Sequence, residues 1–487
     1  MASKEELGSI VGLDRVFDEP EILEEYSRDE SFVHAIRPRC VVKPKNTEEV
    51  QRIVKWANDT LTSLVPVSSG PPHFQGDTVP SVGGAVIVDL SQMKRIIRVD
   101  RRNRVAMVEP GVTFGELIPE LEKEGLAPFM SLAPRSTKSV LASSLEREPV
   151  TTPRYHWTTQ DPLLDLEVIY GSGDLFRTGS AAGPGTIEEQ WKLGRAQMRG
   201  MGPGQVNFAR LIQGAQGTMG IITWATIKCN LFPKLKRTFL VPSEDIVHLI
   251  DFTYRFSWKR LGGACLILNA NNLASLLGKD ADDIKALRDT LPPWVFICTI
   301  EGGGVMPEEK VEYQEAELME VAQQYGLKPT TVINSVRAED ISKVLSGPSK
   351  EPYWKLRFKG GCHDIFFLTT LDRTPEFIAK MCDLAAAYRY PLTDVGVYLQ
   401  PTLQGTNCHC EFNLSYDPQS QGEVDRVRKL DTEGGRALAN MGGFFSRPYG
   451  AWKSIAYGHA AETVIALRKV KGIFDPKGIM NPGKLCF

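Results

Sequence analysis

The stretch Asn407-Cys408-His409-Cys410-Glu411-Phe412-Asn413-Leu414 holds the residues best suited to chemistry. Strand side chains alternate between faces, so this spacing turns His409, Glu411 and Asn413 to one side. Cys408, Cys410, Phe412 and Leu414 then face the other. A histidine beside a carboxylate can be oriented and made more basic. The polar row therefore reads as a pocket floor, with a solvated strand face as the plain alternative. Cys408-His409-Cys410 lacks a second half with metal-ligand spacing, and there is no H-E-x-x-H, so no metal is expected. A second candidate is the loop Ser68-Ser69-Gly70-Pro71-Pro72-His73-Phe74-Gln75-Gly76 after the apolar Leu64-Val65-Pro66-Val67. Successive backbone N–H groups in such a turn can form an anion nest without a charged side chain. An ordinary strand–strand turn is the alternative. No G-x-G-x-x-G joins a strand to a helix, and there is no P-loop.

Composition narrows the classes. The chain has 487 residues, 57 Lys+Arg, 59 Asp+Glu and a formal charge of −2, with 42% hydrophobic and 24% charged residues. These values exclude disorder and fibrous repeats, and the balanced charge argues against nucleic acid or an anionic membrane as partner. No apolar run reaches the roughly 18 residues of a membrane span. The opening MASKEELGSIVGL lacks the pattern of a secretory signal, so a cytoplasmic protein is expected. The nine cysteines include no C-x-x-C pair and read as reduced thiols.

Two large domains must position these residues. In the first, Cys40-Val41-Val42 reads as a strand, followed by a helix capped at Asn46 or Thr47 with Val50, Ile53, Val54 and Ala57 on one face. Strands are expected at 64–67, 84–90, 95–99, 104–109, 164–170 and 220–227, and a helix at Phe114–Glu124. Residues 179–204 are glycine-rich and read as a surface excursion. A boundary is expected near Pro233–Pro242. Beyond it, apolar strands (264–269, 294–300) alternate with charged helices (307–325, 375–388, 421–440), and a last helix at Ala460–Lys471 precedes FDPKGIMNPGKL.

The order of several segments resembles the flavoprotein superfamily of vanillyl-alcohol oxidase and p-cresol methylhydroxylase. They are VVKPKNTEEVQRIVKWA, PVSSGPPHFQG, VAMVEPGVTFGEL, SVLASSLERE, LLDLEVIYGSGDLFRTG, LIQGAQGTMGIIT and FDPKGIMNPGKL. The resemblance implies an α+β fold: a two-subdomain FAD-binding domain of the p-cresol methylhydroxylase type, with an inserted α+β cap carrying an antiparallel sheet. The implied division is 1–235 for the FAD domain, 236–455 for the cap and 456–487 for the return. Carried over by position, Pro66, Val67, Ser68, Ser69, Gly70, Pro71, Pro72, His73, Phe74 and Gly76 cradle the diphosphate. Pro134, Ser139, Val140, Ser143 and Glu146 line the cofactor. Gly220, Ile221 and Ile222 offer backbone atoms at the adenine end, and Asn481 and Lys484 close the flavin side. Non-covalent FAD is expected, with covalent attachment through His409 or His73 as the alternative.

The chain also departs from the pattern. Pro71-Pro72-His73 fill a loop that usually has more glycine, and Glu148-Pro149 stand where a glycine is common. The phenol-binding residues do not carry over: Gln75 takes the place of a tyrosine, residues 132–138 lack the expected acid, and Trp452-Lys453 replace a tyrosine–arginine pair. Arg135, Lys138, Arg447 and Lys453 point instead to an anionic substrate. The H-x-G-D-G-N metal motif of the D-lactate and glycolate dehydrogenase branch is not present. The expected function is an FAD-dependent dehydrogenase, in preference to an oxidase, taking a hydride from a small alcohol, hydroxy acid or activated C–H substrate. His409 serves as base or orienting group, Glu411 tunes it, and Lys453 or Arg447 anchors the substrate. A D-2-hydroxy-acid dehydrogenase-like enzyme, a flavin-containing electron-transfer or assembly subunit, and a flavin-free relative are the alternatives. The partners expected are a small-molecule substrate, an iron–sulfur, cytochrome or electron-transferring flavoprotein subunit, and further copies in a homo- or hetero-oligomer.

Overall fold

The computed structural model describes residues 2–153, 161–202, 204 and 206–487. Its first sheet runs Val16–Phe17, Cys40–Val42, Val86–Asp89, Leu64–Val67, with the last three strands parallel. Parallel strands need a crossover, and helix Thr47–Thr60 supplies it. The Asn46 side chain caps that helix by accepting from Glu49 N at 2.9 Å, and Val50, Ile53, Val54 and Ala57 are buried. The chain end returns here: Leu64 N donates to Ile479 O and Asn481 N to Leu64 O, both at 2.8 Å.

A second, antiparallel sheet is ordered Ile96–Asp100, Val105–Val108, Gly220–Leu231, Leu163–Tyr170, Leu175–Arg177, with Leu126–Pro128 also on Gly220–Leu231. Its register shifts between Ile222 and Trp224, where the Thr223 hydroxyl donates to the buried Glu167 at 2.7 Å. The turn at 171–173 joins Leu163–Tyr170 to Leu175–Arg177 as a hairpin. Within 179–202 a 3-10 turn, Gly179–Ala181, and one short α-helix, Ile187–Lys192, form, and Leu193 and Met198 stay exposed.

The third sheet is antiparallel throughout: Leu235–Ser243, Trp294–Gly302, Cys265–Asn269, Val395–Thr402, Asn407–Tyr416, Gly361–Thr369. The stretch Pro233–Pro242 thus carries an edge strand, where a proline costs no ladder bond. On Asn407–Tyr416 the alternation is as expected. Cys408, Cys410, Phe412 and Leu414 enter a core with Phe252 and Phe256 of helix Ile246–Trp258, Phe377 and Met381 of Thr374–Ala387, and Val427 and Leu430 of Gln421–Asn440. The other face is free to build a site. Helix Ala461–Phe474 runs three residues beyond the expected end, since Lys471 Nζ donates to Asp475 Oδ2 at 2.5 Å and to Met480 O at 2.9 Å and so ties its last turn to the tail. The expected return point at 455/456 falls inside helix Trp452–Gly458. Among the described residues, no helix is long and apolar enough to cross a membrane.

Candidate active site

The first wall of the site is the loop after strand Leu64–Val67. Ser69 Oγ accepts from Ser139 N at 3.0 Å, Gly70 N donates to Thr137 O at 2.9 Å, and Arg135 Nη1 donates to Gly70 O at 2.7 Å. The N-terminal arm holds the loop from outside, with Glu30 N on His73 O at 2.8 Å and Gly76 N on Asp29 Oδ2 at 2.6 Å. Gly76 has φ +72, and a side chain there would collide with Val33. From the tail, Lys484 Nζ donates to Gly76 O (2.6 Å) and Val79 O (2.7 Å), and Asn481 Nδ2 donates to Asp77 O (2.9 Å) and Gln216 O (2.7 Å). The turn before strand Gly220–Leu231 packs equally close: Gly217 has φ +70, and a Cβ there would lie 2.5 Å from Pro66 Cγ. Four segments distant in sequence thereby lock one loop in shape.

Between this wall and the third sheet lies a cavity with about 1710 Å³ of atom-free space, its open mouth included. Pro66, Val67, Ser68, Ser69, His73 and Phe74 face it, as do Pro134, Glu146, Gly220, Ile221 and Ile222. Gly70, Pro71, Pro72 and Gly76 belong to the loop but are not on the cavity wall. Ser139, Val140 and Ser143 stand one layer back: Ser139 caps helix Val140–Leu145, and Ser143 Oγ donates to Glu148 at 2.6 Å. Asn481 and Lys484 brace the loops and do not reach the cavity.

On the cap side, Glu411 and Arg447 line the cavity, while His409 and Lys453 do not. His409 is buried behind Glu411, with Nε2 2.9 Å from Oε2, and the rings of Phe366 and Tyr398 cover it at 5.7 and 5.8 Å. The neighbouring strands carry these rings, since both residues pair with Glu411 in register. Lys453 Nζ donates to Gly483 O at 2.7 Å and so serves the tail. Arg447 is 8% exposed, its guanidinium stacked 4.1 Å from the centre of the Phe366 ring. No hydrogen-bond or ion-pair acceptor for it exists among the described residues.

Two charged wall residues, Lys355 and Asp364, went unread in the sequence, while Lys138 was read there as a cation for an anionic substrate and Glu148 as a departure from the family pattern. Lys355, in the turn Trp354–Leu356, is shared by Asp364 Oδ2 (2.5 Å) and Glu411 Oε1 (2.6 Å). Asn413 Nδ2 donates to Asp364 Oδ1 (2.6 Å) and Glu411 Oε1 (2.7 Å). Opposite, Lys138 is shared by Glu146 Oε2 (2.6 Å) and Glu148 Oε1 (3.3 Å). Asp364 had a signal: its strand pairs with Asn407–Tyr416 so that Asp364 meets Asn413. Lys355 comes from a short turn and had none.

Each lysine holds its carboxylates differently. Burial disfavours the Lys355 charge, but Asp364 and Glu411 outweigh it and keep the ammonium well above its usual range. Burial likewise opposes the Glu411 charge, yet Lys355 and His409 hold that carboxyl well below the ordinary value. His409 is pushed down by burial, partly countered by Glu411, and is neutral. Glu146 is pushed up to about 7, chiefly by burial, with Glu148 adding to the rise against Lys138. Glu148 is held down to about 2, because Lys138, Ser143 and Arg447 outweigh burial. Burial and then Arg135 and Lys138 push the His73 imidazole down to about 3, so it is neutral as well.

The wall suits a dinucleotide carrying an aromatic ring system. Among the described residues, the backbone N–H groups of Ser69, His73, Phe74 and Gln75 have no protein acceptor. Such donors in a tight loop are what a diphosphate needs. The rings of Tyr353, Trp354, Phe366, Tyr398 and Tyr449 line the far side. Among the described residues, no group of three or more His, Cys, Asp or Glu side chains is gathered as a metal ion requires.

Comparison with known proteins agrees with this cofactor. Residues 38–179 match the model of an FAD binding domain, and residues 369–485 match that of the C-terminal domain of FAD linked oxidases. The mitochondrial D-lactate dehydrogenase [cytochrome] of Arabidopsis thaliana is 31% identical over 480 residues, 93% of this chain and 75% of that protein. Glycolate oxidase subunit GlcD of Bacillus subtilis is 24% identical over 493 residues, 94% of this chain and 91% of that protein. The crystal structure of p-cresol methylhydroxylase with substrate bound superposes with a TM-score of 0.85 at 20% identity, covering 100% of this chain and 96% of that one. The chain belongs to the family of FAD-linked oxidoreductases that join these two domains, within the vanillyl-alcohol oxidase and p-cresol methylhydroxylase superfamily, and it is an FAD-dependent enzyme.

Proposed function

We propose that this enzyme oxidises a small 2-hydroxy acid to the 2-oxo acid, with Arg447 anchoring the substrate carboxylate. One observation carries the reading: Arg447 is a buried, cavity-facing guanidinium without an acceptor among the described residues, whereas both cavity lysines already hold two carboxylates. A planar guanidinium matches a carboxylate in two parallel hydrogen bonds. Stacking on Phe366 fixes the plane of that fork before substrate arrives. D-lactate and glycolate, in the names of two relatives, are both 2-hydroxy acids.

The loop 66–76 holds the cofactor through backbone donors, and bound FAD supplies the two-electron acceptor. Lys355 presents its ammonium to the substrate's hydroxyl oxygen. Asp364, Glu411 and Asn413 hold it there, and His409 acts through Glu411 as a positioning residue. Residues 236–455 work as the substrate domain over the FAD domain (1–235 and 456–487), a division supported by the third sheet spanning Leu235 to Tyr416. Attachment of FAD is non-covalent in this reading: His73 faces the cavity as a neutral imidazole and His409 is shielded from it. The electrons pass on to a partner protein, as the words cytochrome and subunit in the relatives' names suggest. A cytoplasmic oligomer is the setting proposed, supported by nine free cysteines.

The test is anaerobic mixing of the holoenzyme with a panel of D- and L-2-hydroxy acids and the matching simple alcohols. Bleaching of the flavin absorbance by a hydroxy acid and not by its alcohol is expected. Bleaching by alcohols alone, or by nothing in the panel, contradicts the reading.

A further inference from the structure

Oxidation of a hydroxy acid needs a group that takes the hydroxyl proton, and the cap side offers a poor one. Glu411 has both oxygens engaged: Oε1 by Lys355 and Asn413, Oε2 by His409. Asp364 is engaged likewise, Oδ2 by Lys355 and Oδ1 by Asn413. For Glu411, hydrogen bonds of this kind favour the ionised carboxylate and make it a weak base. His409 does not reach the cavity.

The opposite wall differs. Glu148 is fully engaged, with Oε1 on Lys138 and Oε2 accepting from Ser131 (3.0 Å) and Ser143 (2.6 Å). Glu146 uses only Oε2, on Lys138. Among the described residues no donor reaches its Oε1, and the side chain lines the cavity. Two carboxylates over one ammonium cannot both ionise freely, since the second negative charge is held close to the first. The serines and Lys138 settle the charge on Glu148 and leave the proton equilibrium to Glu146. This wall also lies near the anchor: Arg447 helps hold Glu148 ionised, and Tyr449 lies in the field of both Glu146 and Arg447.

We propose that Glu146 is the general base of the reaction, receiving the substrate's hydroxyl proton on its free Oε1. In this step the substrate O–H bond breaks and its proton goes to Glu146. The C–H bond breaks with both electrons, the hydrogen passing as hydride to FAD, and the C–O bond becomes C=O. The substrate loses two electrons to the acceptor that bound FAD would supply, and Glu146 returns its proton to water before the next cycle. Burial and Glu148 bring Glu146 up to about 7, where a general base is most effective. The groups facing it are Lys138, Glu148, Asp77, Arg135 and Tyr449. Asp77 is also on the wall, but its loop belongs to the backbone cradle of the diphosphate and is tied by Asn481.

The proposal rests on the hydroxy-acid reading. Its test is the pH dependence of anaerobic flavin reduction in the wild-type holoenzyme, Glu146→Gln and Lys138→Gln, with 2-oxo acid binding read from perturbation of the flavin spectrum. Wild type is expected to speed up as pH rises through about 7. Glu146→Gln is expected to lose that rise and about 100-fold or more in rate, while still binding the 2-oxo acid. Lys138→Gln is expected to move the rise up by about one pH unit or more, because the ammonium favouring ionisation is gone. Reduction of wild type by no hydroxy acid overturns both readings. Normal reduction with the pH rise intact in Glu146→Gln, or unmoved in Lys138→Gln, overturns the role of Glu146 alone. Should Glu146→Gln fail to hold FAD, the Lys138→Gln profile decides.

Discussion

Glu411 stands between His409 and the cavity, its Oε2 2.9 Å from the imidazole Nε2 and its Oε1 2.6 Å from the Lys355 ammonium. The histidine is therefore a support for a carboxylate that is itself a support for a lysine. Replacing His409 by Ala is expected to retain FAD and to lower turnover by about 10- to 100-fold, the cost of a displaced positioning group. His409→Gln, which keeps a donor to Glu411, is expected to recover most of it. Steady-state kinetics of both variants check this, and equal losses in the two contradict it.

Arg447 is expected to act on binding. Arg447→Met removes a charge-assisted pair worth about 1.5–3 kcal/mol, so KM for a hydroxy acid rises by roughly 10- to 100-fold. Arg447→Lys recovers little, since a point charge does not replace a planar fork. Comparing KM with kcat in the two variants separates anchoring from chemistry.

Gly217 is expected to control the cofactor and not the substrate. In Gly217→Ala a Cβ meets Pro66 Cγ at a backbone φ of +70. Strain of about 1–3 kcal/mol displaces the loop that Pro66 begins. FAD affinity of the apoprotein, read by fluorescence quenching, is expected to fall by about 5- to 100-fold.

Glu148 makes stability sensitive to acid. Its carboxyl is held at about 2 in the folded protein against an ordinary 4.5. A depressed carboxyl contributes stability above the unfolded value and loses it as pH falls toward the folded one. Urea midpoints are expected to drop between pH 4.5 and about 2 more steeply in wild type than in Glu148→Gln. Parallel curves would remove Glu148 from the acid response.

Much of the site was legible because it lies on regular elements. The alternation at 408–414 assigned Cys408, Cys410, Phe412 and Leu414 to the core and His409, Glu411 and Asn413 to the opposite face, since period-2 geometry is local. The loop on the cavity's first wall was legible as small residues after a buried strand. Which member of the polar row reaches the cavity was not, because the rings of Phe366 and Tyr398 come from neighbouring strands. Lys453 looked like an anchor for its charge and its place at the family's tyrosine–arginine pair, and only the path of the tail turns it toward Gly483.

The cofactor class and the faces of the strand Asn407–Tyr416 were written in the sequence. Each rests on local periodicity or on the order of motifs along the chain. Only the tertiary structure decided which charges share a partner. Lys138 with Glu146 and Glu148, and Lys355 with Asp364 and Glu411, form two clusters on opposite walls of one cavity. Arg447, with no acceptor among the described residues, stands on the cap side. Ionic pairing depends on distances between loops that folding brings together, and it sets which groups hold a proton and which are free to bind one.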